Sequence, residues 1–186
     1  LVKEESVKRL KVENGKVHFN DKIVFDVNPM IGVIGVAPKT GAINCGTPGN
    51  HGGNMDNKRI AKGATLYFPV FHEGAIFSLG DVHAAMGDGE IMVSGVEISA
   101  DVTVRLSVIK GVSIETPMLE NDDICGVIYS HEEIEKSLKD QGLPSIVDIG
   151  KNTISGMFSL WWLNYKKNNI EASIEKIIRK EGRRKN

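Results

Sequence analysis

Apolar and polar residues alternate strictly from Val96 to Val108, the most regular pattern in the chain. The apolar positions are Val96, Ile98, Ala100, Val102, Val104, Leu106 and Val108. Because successive side chains of a strand point to opposite faces, this alternation predicts one long strand that is buried on one face. Ile91 and Val93 follow the opposite parity, and the change falls at Ser94-Gly95, where we expect a bulge or a bend.

Shorter apolar runs before this segment predict further strands. Residues 17–19 and 23–25 flank Asn20-Asp21, which is typical of a hairpin turn. Residues 28–53 are rich in Pro, Gly and Asn and predict short strands with tight loops. The runs 64–71 and 75–81 are also strand-like, and Pro69 makes the first an edge strand or a bulged one.

The pattern changes to a helical period near the C-terminus. Ser130 and Glu133 form a capping box that predicts a helix ending at Gly142, and residues 169–180 predict a second amphipathic helix. We therefore expect a mainly β protein with an antiparallel sandwich or barrel-like core in residues 1–128. Residues 129–186 are expected to form a helical C-terminal segment with a basic tail.

Composition and charge narrow the class of protein. The 186 residues are 41% hydrophobic and 25% charged, which is typical of a globular chain. A formal net charge of −1 offers no field that would attract nucleic acid. The apolar runs are far shorter than the ~20 residues that span a bilayer, so we expect no membrane partner. Two cysteines suit a reducing, cytoplasmic compartment. The first residue is not Met, which suggests a piece of a longer protein.

Two polar, glycine-rich clusters hold the residues that can carry chemistry. Their candidate side chains are His51, Asn54 and Asp56 in the first cluster, and Asp81, His83, Asp88 and Glu90 in the second. Imidazole and carboxylate together are the ligand set of a zinc-like ion in an open catalytic site. Asp81 and His83 would point to one face of a strand. Alternatively, Asp88-Gly89 is only a hairpin turn, and Glu97 is interpreted as a solvated side chain.

A cysteine nucleophile is a weaker hypothesis. Cys45 precedes His51 by six residues, but the spacing does not establish that thiol and imidazole meet, as a cysteine hydrolase requires. The chain has no Gly-x-Ser-x-Gly elbow, no phosphate-binding glycine loop and no dinucleotide fingerprint.

The chain resembles the acetamidase/formamidase family over about residues 15 to 128. The resemblance rests on three joined motifs, which are Pro29-Met30-Ile31-Gly32-Val33-Ile34-Gly35-Val36-Ala37-Pro38, His51-Gly52-Gly53-Asn54-Met55-Asp56 and Gly80-Asp81-Val82-His83-Ala84-Ala85-Met86-Gly87-Asp88-Gly89-Glu90. It implies a metal-dependent, oligomeric enzyme that hydrolyses small linear amides such as formamide and acetamide to a carboxylate and ammonia.

The resemblance also implies the site residues. We assign the metal ligands to His51, Asp56, Asp81 and His83, with Zn²⁺ as the first candidate and Ca²⁺ or another divalent ion as the alternative. We assign the catalytic roles to Glu90, Asp88 and Asn54. Glu90 is the expected general base, and Asn54 or the amides of the glycine loop are the expected oxyanion donors. The division of roles among the carboxylates is our own inference.

Family members carry a sizeable portion ahead of the Pro-Met-Ile-Gly-Val motif, and most of it is missing here. We therefore keep a second hypothesis, in which the chain is a non-catalytic fragment or remnant of an amidase that binds metal and assembles with itself or a partner chain. In both hypotheses we expect a homo-oligomer.

Overall fold

The computed structural model describes residues 6–87, 90, 93–122, 124–127 and 165–166. They form antiparallel strands, and the described residues contain no helix. The strands are β1 Lys11–Glu13, β2 Lys16–His18, β3 Val24–Asp26, β4 Met30–Gly35, β5 Gly52–Asn54, β6 Thr65–Tyr67, β7 Ser78–His83, β8 Met118–Glu120, β9 Ile124–Val127 and β10 Tyr165–Lys166. They are arranged in three sheets, with the orders β1-β2-β3, β5-β4-β7 and β10-β9-β8-β6.

The first sheet consists of two hairpins. Asn14 and Gly15 have φ angles of 51° and 74° in the turn between β1 and β2, the positive values that an Asn-Gly hairpin turn uses. Between β2 and β3, the Asn20 carboxamide oxygen accepts hydrogen bonds from the amides of Lys22 and Ile23 at 2.9 and 2.7 Å. This side chain closes the turn, and the hairpin predicted around Asn20-Asp21 is confirmed.

Strand β4 is the centre of the second sheet. It pairs with β5 through Val33–Asn54 and Ile34–Gly53, and with β7 from Met30–His83 to Gly35–Ser78. A central strand has neighbours on both edges, and the nearly unbroken apolar run of β4 is typical of such a position. The short strands and tight loops predicted for residues 28–53 are therefore present.

One apolar core joins the second and third sheets. Ile34 from β4 and Leu119 from β8 are 4% and 0% exposed. They pack with Met55 and Ile60, and several partly buried side chains lie against this group, namely Ile31, Leu66, Phe68, Phe77 and Leu79. Strand β6 ends at Tyr67, before Pro69, and lies at the edge of its sheet, as the proline predicts.

The segment after β7 differs from the prediction of a strand buried on one face. Glu97 forms an isolated bridge with His83, and the Ile98 amide donates to the Val82 carbonyl at 3.1 Å. From residue 97 to residue 111 every side chain is exposed, including Leu106 at 66% and Val108 at 78%. Apart from the bridge at Glu97, no residue from 96 to 109 lies in a strand, and no described residue covers the apolar side chains, so the prediction of one long strand buried on one face is wrong.

The two predicted helices, at 130–142 and 169–180, lie outside the described residues. So does the predicted C-terminal segment 129–186, apart from β10, which pairs with β9. Among the residues that the structure does describe, no helix is long and apolar enough to cross a membrane.

Candidate metal centre

The site is built across the middle of the second sheet, at Gly32 of β4. The Gly32 carbonyl accepts hydrogen bonds from the amides of Met55 and Asp56, at 3.0 and 3.2 Å, just after β5 ends. On the other edge of β4, the pairs Ile31–Val82 and Val33–Gly80 place Asp81 level with Gly32. Asp56 and Asp81 therefore approach Gly32 from opposite neighbouring strands.

Gly32 leaves room for both carboxylates. A Cβ atom at this position would lie 2.6 Å from Asp56 Oδ1 and would overlap Asp81 Oδ2. Real Cβ contacts are essentially never shorter than 3.0 Å. The two acidic side chains thus meet in space that exists only because residue 32 has no side chain.

His83 brings three further contacts to the same place. His83 is the last residue of β7, and it is 1% exposed. Its Nε2 atom lies 3.3 Å from Asp81 Oδ1, 3.6 Å from Glu90 Oε1 and 3.2 Å from Glu97 Oε1. On the other side of the ring, a Cβ at Gly95 would lie 2.8 Å from Nδ1, so this glycine allows the backbone to pack against the imidazole.

These residues form two overlapping groups with the spacing of metal ligands. Asp56, His83 and Glu90 form one group, and Asp81, His83 and Glu97 form the other. Within each group the candidate ligand atoms lie within 4.8 Å of one another. Because both groups contain His83, we interpret them as one site with an imidazole nitrogen surrounded by carboxylate oxygens, a donor set that suits a divalent cation.

The electrostatics of the cluster also fit a cation. Burial, together with the nearby carboxylates of Glu90 and Asp81, raises the pKa of Asp56 to about 6, against the opposing effect of His83. Burial likewise raises the pKa of Glu90, while His83 acts in the opposite direction. Asp56 Oδ1, Glu90 Oε1 and His83 Nδ1 are buried and have no hydrogen-bond partner among the described residues. A divalent ion would satisfy the two carboxylate oxygens and relieve the repulsion between like charges.

The backbone is strained at three of the acidic residues. Asp56, Asp81 and Glu90 have φ angles of 38°, 56° and 42°, in the left-handed region that residues other than glycine rarely occupy. Such conformations persist where the surrounding structure imposes them, and they concentrate at functional sites. The backbone strain thus supports a functional site here, in addition to the spacing of the ligand atoms.

His51 lies apart from the cluster. Val36 donates its amide to the His51 carbonyl, so His51 lies level with Val36. The backbone of His51 is therefore four residues from the level of Gly32, or about 13 Å at the usual rise of a strand, while its imidazole folds back toward Gly53, where a Cβ would lie 2.9 Å from Nε2. His51 belongs to neither ligand group; burial lowers its pKa, and its Nδ1 atom is buried without a partner among the described residues. Its role as a ligand stays a prediction.

Of the predicted catalytic residues, the structure places only Glu90 in the cluster. Asp88 lies outside the described residues. Asn54 is buried in β5, where its amide nitrogen donates only a long hydrogen bond, 3.5 Å, to the Gly46 carbonyl. Cys45 is exposed and free, and the described structure records no hydrogen bond between it and His51.

Glu97 also belongs to the cluster, although its side chain is 53% exposed, in agreement with the prediction of a solvated residue. Its side chain accepts a hydrogen bond from the Gly95 amide at 3.1 Å and lies beside His83. The change of parity at Ser94-Gly95 is the signal that could have identified it, because a chain that turns there brings the following residues back against β7.

Comparisons with known proteins agree on one family. The sequence model of the Acetamidase/Formamidase family matches residues 39–137. The chain is 41% identical to a formamidase of Methylophilus methylotrophus over 64 residues, which are 34% of this chain and 16% of that protein. It is 32% identical to a putative formamidase of Schizosaccharomyces pombe over 107 residues, which are 57% of this chain and 26% of that protein.

Solved structures extend the similarity to the fold. A predicted acetamidase/formamidase from Thermoanaerobacter tengcongensis is 49% identical, with a TM-score of 0.67, and the match covers 76% of this chain and 46% of that one. An acetamidase from Bacillus halodurans is 39% identical, with a TM-score of 0.63, and the match covers 76% of this chain and 52% of that one. The chain thus spans about half the length of these structures and a smaller share of the curated relatives.

Proposed function

The chain belongs to the acetamidase/formamidase family, and from this premise we propose that its site acts in the hydrolysis of a small linear amide. The reaction adds water across the C–N bond of formamide or acetamide. The hydroxyl group goes to the carbonyl carbon and a proton goes to the nitrogen, which gives a carboxylic acid and ammonia; the acid then passes its proton to ammonia, leaving a carboxylate and ammonium.

The convergence of four carboxylates on His83 is the observation that supports a metal-dependent reaction. Asp56, Asp81 and His83 would hold the ion, and the two glutamates would complete its coordination or exchange protons. Zn²⁺ is our first candidate, and Mn²⁺ and Ca²⁺ are alternatives because carboxylate oxygens outnumber the single imidazole. When bound, such an ion polarises the amide carbonyl and lowers the pKa of a water molecule.

Glu90 is suited to move the proton. It is 8% exposed, and burial raises the pKa of its carboxyl group, so it holds a proton more readily than a solvated glutamate. We propose that Glu90 accepts a proton from the attacking water and then delivers it to the leaving nitrogen, which is a poor leaving group until it is protonated. Asp88 remains the alternative for this role.

Asn54 is our candidate for stabilising the developing oxyanion. Its amide group makes only the long contact to Gly46, so its hydrogens are weakly engaged. The amides of Gly52 and Gly53 are the alternative donors in the glycine loop, and that of Gly52 already donates to the Gly49 carbonyl at 2.9 Å. The structure therefore favours the Asn54 side chain over this backbone group.

A second function keeps the metal site without catalysis. The chain spans about half the length of the solved relatives, so residues needed for substrate binding can be supplied by the rest of the fold. In this case the chain is a metal-binding, self-assembling remnant. We also propose that the protein is a cytoplasmic homo-oligomer, and the free thiol of Cys45 supports a reducing compartment.

One experiment separates these functions. Ammonia release from formamide and acetamide is measured with the purified chain, after chelation and after resupply of Zn²⁺, Mn²⁺ or Ca²⁺. Release that a chelator abolishes and a metal restores supports the amidase. Metal binding without ammonia release supports the remnant, and a folded chain that binds none of these ions contradicts the metal site in both functions.

A further inference from the structure

The exposed segment from Ser99 to Ser107 has the properties of an unpaired β-strand. No residue between Ile98 and Ile109 is in a turn, a bend or a helix, and none has a positive φ angle, so the chain runs extended. Its first residues are fixed to β7 through Glu97 and Ile98, and beyond them no described strand pairs with it. Its backbone donors and acceptors thus have no partner among the described residues along a row of about 30 Å.

The two faces of this segment differ in a way that suits pairing with another strand. Val102 and Val104 are 37% and 43% exposed, and Leu106 is 66% exposed, all on the apolar face. Asp101 and Arg105 lie on the polar face and have no ion-pair partner among the described residues. An edge with exposed aliphatic side chains and unpaired backbone groups is a template for strand addition.

The sequence of the segment is complementary to itself when read in the antiparallel direction. If two copies are centred on Thr103, Asp101 of each copy lies directly opposite Arg105 of the other, and this ion pair occurs twice. On the apolar face the same register sets Val102 opposite Val104. Ala100 then lies opposite Leu106, and Ser99 lies opposite Ser107 on the polar face. All directly opposite residues thus match in polarity, and the charged pair, Asp101 and Arg105, is opposite in sign and attractive.

Other registers lose this match. Moving the centre to Val102 or Val104 sets Asp101 opposite Thr103 or Ser107, and the ion pairs disappear. Parallel pairing in register sets Asp101 against its own copy and Arg105 against its own copy, which is repulsive. The segment therefore specifies one symmetric arrangement among the ways in which two copies could pair.

We propose that residues 99–107 form a symmetric, antiparallel strand pair with a second copy of this chain, centred on Thr103. The contact is isologous, as in a two-fold dimer, because each copy contributes the same residues. This inference does not depend on the proposed amidase activity. Other occupants of the strand, such as another part of a longer chain, are outcomes that the test distinguishes.

Charge reversal tests the register. The full chain is examined by sedimentation over a range of concentrations, and we expect a concentration-dependent dimer. Asp101→Arg places like charges opposite each other twice and should weaken the dimer by about 10- to 100-fold. The double variant Asp101→Arg/Arg105→Asp restores the opposite charges and should return the affinity to within a few-fold of the wild type. Glu115→Arg adds a similar charge at an exposed residue outside the segment and should have no effect.

A cysteine variant tests the centre without relying on affinity. Thr103→Cys sets two thiols opposite each other, with Cα atoms about 4.5–5.5 Å apart, a separation that a disulfide can bridge. Mild oxidation should crosslink this variant into dimers, whereas Ser99→Cys, which faces Ser107, should not crosslink beyond the background from the native cysteines. The proposal is overturned if the chain stays monomeric up to its solubility limit, if Asp101→Arg leaves the dimer intact, or if the double variant fails to restore it.

Discussion

Replacing Gly32 by alanine should destroy the proposed metal centre while leaving most of the fold intact. The new Cβ would lie 2.6 Å from Asp56 Oδ1 and would overlap Asp81 Oδ2, whereas ordinary contacts begin at 3.4 Å. At least one carboxylate must therefore move by about 0.8 Å, which is several times the ~0.2 Å tolerance of a metal–ligand distance. We expect affinity for a divalent ion to fall by at least about 100-fold, since even changes outside the ligand shell lower it by 10- to 100-fold.

The loss of stability should be modest by comparison. Overpacking of a filled site commonly costs about 1–3 kcal/mol, and here the carboxylates can give way toward the exposed side of Asp81. Circular dichroism and thermal unfolding of the metal-free protein would show whether the variant is folded. Affinity would be measured by competition with a chromogenic chelator for Zn²⁺ and Mn²⁺.

Gly80→Ala is the matched control for this experiment. Gly80 lies in β7, opposite Val33 and one residue from Asp81, and a Cβ there meets nothing within 4 Å. The same chemical change in the same sheet should therefore leave metal affinity unaltered. The reasoning fails if a folded Gly32→Ala variant binds the ion as tightly as the Gly80→Ala variant does.

Three further predictions concern single side chains. The folded-state pKa of Asp56, about 6, lies above its unfolded value near 3.8, so the folded state holds more protons and the metal-free protein loses stability as the pH rises through this window. Asp56→Asn should remove this pH dependence and stabilise the metal-free chain at pH 7 by about 1–2 kcal/mol after allowance for solvent screening. Urea unfolding at pH 4.5 and 7 measures the effect, and a steeper dependence of unfolding free energy on pH in the variant would contradict the assignment. Glu97→Gln should weaken divalent-ion binding by about 10-fold or more, whereas Glu115→Gln, at an exposed residue outside the cluster, should not. Equal affinities of the two variants in a calorimetric titration would show that Glu97 is not part of the site. Alkylation of Cys45 should leave any amidase activity unchanged, and a loss of ammonia release that parallels modification of this thiol would revive the cysteine nucleophile.

Local chemistry made much of the fold predictable. Asn20 closes its hairpin by hydrogen bonds to residues two and three positions ahead, so the turn depends on little else. Pro69 cannot donate a backbone hydrogen bond, and the strand before it ends at a sheet edge. Such features depend on nearest neighbours along the chain and can therefore be read from the sequence.

The site was predictable only in part, because its assembly depends on contacts between distant residues. The spacing of Asp81 and His83 placed both near one end of a strand, and that prediction agrees with their 3.3 Å contact. Glu97 enters the cluster only because the chain folds back against β7. His51 belongs to the same motif as Asp56, yet the run of β5 carries it away from Gly32. Distance along the chain is a poor guide where a strand separates two residues.

The long alternation shows a different limit. Period-two alternation predicts which side chains share a face of a strand. It carries no information about what covers that face, since the covering surface can belong to another segment or another molecule. The prediction that one face is buried therefore assumed a covering surface, and the described residues do not provide one.

The left-handed backbone at Asp56, Asp81 and Glu90 has a consequence for how this protein can change over evolutionary time. Each of these residues holds a conformation that glycine would adopt at lower energy, and strain of this kind costs about 1–3 kcal/mol per residue. Substitution by glycine there would relieve strain and charge repulsion together, so a mutation that removes a carboxylate can also make the chain more stable. A lineage that does not need the carboxylates should replace them early and keep its sheets, and a lineage that retains all three bears a continuing cost in stability.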